Sequence, residues 1–136
     1  MSEPLDPECL PIRSTLDIVT ARHAARALCE RLGFGKADQT RLATAVSELA
    51  RNVIQYAGEG SCLIEDVSDA RARRIRVLIQ DQGPGIPNLD LALTDGYSTS
   101  GGLGAGLPGT RRLTDEFQIE SMPGSTRVTI ALVKPR

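Results

Sequence analysis

Helical periodicity fills this chain from about residue 15 to 57, and strand-like runs dominate beyond it; no other feature restricts the fold so strongly. Ser14-x-x-Asp17 has capping-box spacing and opens a first helix near Thr15. Ile18, Ala21, Ala25, Leu28 and Leu32 then recur at helical spacing, and Gly33 supplies the stop. Asp38 stands where an N-cap opens a second helix, running to about Ala57 and closed by Gly58. Its expected buried stripe is Leu42, Ala45, Val46, Leu49, Val53 and Tyr56. Residues 62–67 and 75–80 read as a β-hairpin, and residues 116–121 and 126–133 as another, turning at Pro123-Gly124. A Gly- and Pro-rich tract at 81–109 separates them, with a short helix around 89–93 and a third helix from about Gly106 to Asp115. Residues 9–13 suit a short edge strand, with Pro11 limiting its pairing. This order predicts an α+β sandwich: a mixed, mostly antiparallel sheet with helices packed on one face.

The 136 residues suit one domain, expected at 9–136 behind a loose leader at 1–8. Aromatics are only 3% of the chain and Trp is absent, so the core must be aliphatic. Sixteen Lys and Arg balance seventeen Asp and Glu to a net charge of −1. Long-range attraction to a phosphate backbone is therefore missing, and no nucleic-acid partner is expected. No apolar run approaches the roughly 20 residues of a membrane span. The acidic, Pro-rich N-terminus lacks the basic and apolar regions of a signal peptide. Cys9, Cys29 and Cys62 lie too far apart for a CxxC zinc site. Reduced thiols in a soluble cytoplasmic protein are the expectation.

Three elements carry the chemistry. Glu48 and Asn52 are four residues apart on the second helix and so share one face, with Thr44 and Gln55 beside them. A solvated polar stripe has this pattern; so does a carboxylate poised as general base beside an amide oxygen suited to Mg²⁺. DQGPGIP then follows the strand-like run Ile75, Val77, Ile79. It reads as a plain turn, or as a strand-end acid (Asp81) able to accept from an exocyclic amine, with Gly83 and Gly85 letting backbone approach a flat ligand. Last, GGLGAGLPG holds five glycines in nine residues and leads into a helix, an arrangement of converging N–H groups suited to anions. No Gly-Lys-Ser/Thr occurs, so this is not a Walker A loop. Between Asp81 and Arg111 there is no Lys or Arg, so a bound triphosphate would rely on Mg²⁺, backbone N–H groups and the hydroxyls of Ser98, Thr99 and Ser100.

In this order, ELARN (residues 48–52), DQGPGIP and GLGAGLPG resemble the N, G1 and G2 boxes of the GHKL (Bergerat-fold) ATPases and kinases, over about residues 12–133. The short lid at 88–100 and the tract DGYSTSGGLGAGLPG are most similar to the RsbT-type switch kinases of bacterial stressosomes, relatives of the RsbW-type anti-sigma kinases. The resemblance implies a Bergerat ATP-binding sandwich and a serine/threonine kinase using ATP and Mg²⁺. It implies Glu48 as general base and Asn52 as the Mg²⁺ ligand. Asp81 would read the adenine amino group, assisted by Thr126, with Gly83 and Gly85 shaping the adenine pocket. Gly102, Gly104 and Gly106, with Ala105 and Leu107 between and after them, would wrap the phosphates. Implied partners are STAS-domain stressosome substrates and a downstream phosphatase. The competing reading is a non-catalytic, ATP-gated, anti-sigma-like binding module. His23, beside Arg22 without an acidic neighbour, reads as a surface histidine, not a phosphoacceptor.

Overall fold

The computed structural model describes residues 7–85 and 106–136. Strand β1 (Glu8–Ile12) leads into helices α1 (Thr15–Arg31) and α2 (Lys36–Ala57). Hairpin β2 (Gly60–Asp66) and β3 (Ala72–Asp81) follows, then α3 (Gly106–Leu113), β4 (Glu116–Met122) and β5 (Ser125–Pro135). The expected helix at 89–93 lies outside the described residues, as do Ser98, Thr99, Ser100, Gly102, Gly104 and Ala105.

The five strands form one sheet in the order β1-β2-β3-β5-β4. A mixed, mostly antiparallel sheet is the expectation, and among the described strands every pairing is antiparallel. The reason is topological. β3 and β4 run the same way through the α3 crossover, yet β5 turns back and inserts between them, so among the described strands no parallel neighbours meet. β1 is the edge strand expected around Pro11, one residue earlier than read, with Pro11 opposite Ser61.

Strand alternation delivers one apolar face. Cys62, Ile79 and Val128 form one row across the sheet, and Ile64, Val77 and Ile130 the next, all buried. α1 lies over β1 and β2, and α2 over the centre. Small buried residues on both helices (Ala21, Ala25 and Cys29; Ala43, Ser47 and Ala50) let them approach each other closely. The core is aliphatic, as the composition requires. Burial pushes the Cys29 and Cys62 thiols up to about 12, so both are neutral fillers of the core. The opposite sheet face is polar. Among the described residues it bears a shallow hollow of about 280 Å³ lined by Glu65, Arg76, Leu78, Gln118, Glu120, Arg127 and Thr129. No described helix is long and apolar enough to cross a membrane.

Helix ends show where local signals hold. Ser14 caps α1, its hydroxyl accepting from the Asp17 N–H, while Asp17 accepts from the Arg13 N–H at 2.8 Å. Cys29 takes the fully buried place near the end of the helix, with Leu28 and Leu32 packed at its margin. Asp38 does not cap α2. Gly35 does, in extended backbone with no side-chain bond, because the chain turns there beyond buried Phe34. Asp38 sits in the first turn and pairs with Arg41. Tyr56, expected in the buried stripe, is 45% exposed. In the last turn the residue facing the protein is Ala57, four after Val53, and Tyr56 falls outward.

Candidate functional site

The alternation that builds the core also places a polar row at one end of it. Two residues beyond Ile79 comes Asp81, which shares the helix-facing side of the sheet. In the ladder Asp81 lies between Gly60 and Thr126, and Thr126 is opposite Ser121. The helix-side row at this end is therefore Gly60, Asp81, Thr126 and Ser121. Thr126 is buried, and its hydroxyl lies 2.7 Å from that of Ser121. Asp81 and Thr126 are legible in the sequence, whereas Gly60 and Ser121 join them only through strand register.

Glycines bring this end of the sheet close to the helix. A Cβ at Gly60 would collide with the Gln80 carbonyl oxygen and lie 2.8 Å from Val53 Cγ1. One at Gly83 would lie 2.6 Å from Ala57 Cβ, so β3 exits against the last turn of α2 with no room for a side chain. The Gly83 N–H donates to Asp81 Oδ1 at 2.9 Å, which orients the carboxylate. The Gly83 carbonyl accepts from Gly124 N–H at 2.9 Å, joining the first glycine motif to the β4–β5 turn. Gly85, at φ 84°, occupies the left-handed region and lies against the Met122 carbonyl.

The same stretch of α2 carries the other candidates. Asn52 directly precedes Val53, and Glu48 lies one turn earlier; both are half-buried. They lie on the side of α2 along which α3 packs. That side is marked by Arg41, two turns before Glu48, whose Nη1 donates to the Leu113 carbonyl at 3.3 Å. α3 contributes buried Leu107 and Thr110, with Gly106 as its first residue. Glu48 accepts from Arg51 at 2.6 Å, a partner three residues on along the same helix. His23 is exposed on α1, as expected.

Chemically, the row offers a carboxylate acceptor beside a hydroxyl pair, framed by glycines that let the strands pack closely against α2. The helix offers a carboxylate and an amide oxygen one turn apart. An antiparallel sheet covered on one face by helices, with a strand-end acid packed beneath the helix carrying such a pair, is the architecture of a nucleotide-binding ATPase-type domain.

Comparison with known proteins agrees. The chain belongs to the histidine kinase-like ATPase domain family, which matches it over residues 12–132. Serine/threonine-protein kinase RsbT of Bacillus subtilis (strain 168) is 50% identical over 119 residues, covering 88% of this chain and 90% of that protein. Within the family the chain therefore groups with the serine/threonine-protein kinases. The RsbU and RsbW domains of Rv1364c from Mycobacterium tuberculosis align with a TM-score of 0.68 at 17% identity, over 97% of this chain and 34% of that longer one. The SiaB–SiaC complex from Pseudomonas aeruginosa aligns at 0.60 and 15% identity, over 96% of this chain and 91% of that one. These two likenesses concern the fold alone.

Proposed function

We propose that this kinase, acting as one domain over residues 9–136, transfers the γ-phosphoryl group of Mg-ATP to a serine or threonine of a STAS-domain protein. Its setting is a bacterial partner-switching stress response, and the released kinase then activates a downstream phosphatase. The observation that carries the site assignment is the Gly60–Asp81–Thr126–Ser121 row, lying under the stretch of α2 that bears Asn52. Asp81 accepts from the adenine amino group with the oxygen not held by Gly83, and Thr126 supplies a second polar contact.

A single amide oxygen from Asn52 fits Mg²⁺, which keeps waters and phosphate oxygens and takes few protein ligands. When bound, the ion offsets the charge of the phosphates. The second glycine motif, Gly102, Gly104, Ala105, Gly106 and Leu107, with Ser98, Thr99 and Ser100, supplies N–H and hydroxyl donors to them. Glu48 takes the proton of the acceptor hydroxyl as its oxygen bonds to the γ-phosphorus. The bond to the β–γ bridging oxygen breaks, and ADP leaves with that electron pair.

The test is direct. Incubated with Mg²⁺, γ-labelled ATP and STAS-domain proteins of the same organism, the chain is expected to label one of them through an acid-stable ester. Acid-labile label would instead indicate transfer to histidine and overturn the proposal. No transfer to any STAS-domain protein would remove the proposed substrate class.

A further inference from the structure

Arg51 is a charged residue beside the proposed site with no role in the mechanism above. It lies three residues beyond Glu48 on α2, and its Nη1 donates to Glu48 Oε1 at 2.6 Å. The two partners sit in different surroundings: the Glu48 side chain is 18% exposed and that of Arg51 is 55% exposed. A carboxylate so largely enclosed has little water to bond, so its orientation follows Arg51, its strong partner among the described residues. Stability does not account for the pair, because half-exposed ion pairs at this spacing contribute only about 0–1 kcal/mol. Arg41, on the same side of α2, does not compete for Glu48, being committed to Asp38 and the Leu113 carbonyl.

We propose that Arg51 is a positioning residue for phosphoryl transfer. It holds the Glu48 carboxylate through Oε1, and Oε2 then faces the acceptor hydroxyl and receives its proton. The inference rests on the reading of Glu48 as the general base. Arg51 touches neither acceptor nor nucleotide and acts only through Glu48.

The experiment compares steady-state and single-turnover transfer to the STAS-domain protein that the labelling experiment above selects, using wild type, R51Q, R51K, E48Q and E48Q/R51Q. A misplaced base typically costs on the order of ten- to a hundredfold in rate. R51Q is therefore expected to lose about tenfold in kcat, with KM for ATP within about twofold and an unchanged melting temperature. R51K, whose ammonium still reaches Glu48, is expected to recover most of that loss. In the E48Q background, R51Q is expected to add nothing, because its route of action is already removed. Full-rate transfer by R51Q beside a crippled E48Q would overturn the role of Arg51 alone. A faster R51Q would make the pair a restraint, and a further loss in the double variant would place Arg51 on the phosphates; either contradicts the proposal. Full-rate transfer by E48Q would remove the base itself, and the role of Arg51 with it.

Discussion

Glu48→Gln is expected to slow phosphoryl transfer by about 10²- to 10⁴-fold while leaving Mg-ATP affinity within about twofold of wild type. The substitution keeps the size and the half-buried place of the side chain on α2 but removes the group that accepts the hydroxyl proton. A serine or threonine hydroxyl is a weak nucleophile until that proton leaves, so the loss falls on kcat. The Arg51 pair weakens to a neutral acceptor, a small cost for so exposed a guanidinium. Nucleotide affinity, measured by calorimetry, separates this from a folding defect. An equal loss of binding and rate would mean that Glu48 serves the site as a ligand and not as a base.

Asp81→Asn should show the opposite pattern. Asp81 Oδ1 is already committed to the Gly83 N–H at 2.9 Å, so the second oxygen is the one that reads the adenine amino group. Asparagine can keep the first bond with its carbonyl oxygen, but it then presents an NH₂ to an NH₂. A hydrogen bond to a charged acceptor contributes about 1.5–3 kcal/mol. Nucleotide affinity is therefore expected to fall by about ten- to 150-fold, with the fold intact and the rate at saturating ATP little changed. Equilibrium binding of ATP and GTP checks it. Undiminished ATP binding by the variant would move the adenine away from this row.

Why some of this could be read from sequence is visible in individual residues. Ile75, Val77 and Ile79 alternate, and the same period carries Asp81 to the helix side without knowledge of any partner strand. The i,i+4 spacing of Glu48 and Asn52 is equally local. Gly33 and Gly58 end their helices where expected, because a left-handed residue is a local device. Gly60 was missed because its constraint comes from Val53 and from the Gln80 carbonyl, and only register brings these together. Ser121 was missed for the same reason, through Thr126. Asp38 misled because a side-chain cap and a first-turn acid have the same sequence signal; Arg41 decides between them in space. The wholly antiparallel sheet follows from the insertion of β5, a matter of strand order that periodicity does not encode. The second glycine motif up to Ala105 lies outside the described residues.

The most direct measurement is a crystal structure of the full chain soaked with Mg²⁺ and a non-hydrolysable ATP analogue. Bound nucleotide should lay its amino group on the Asp81 carboxylate beside Thr126, with the ion on Asn52 and the terminal phosphate toward Glu48. Nucleotide seated in the polar hollow of Glu65, Arg76 and Arg127 on the far face of the sheet would contradict the account outright.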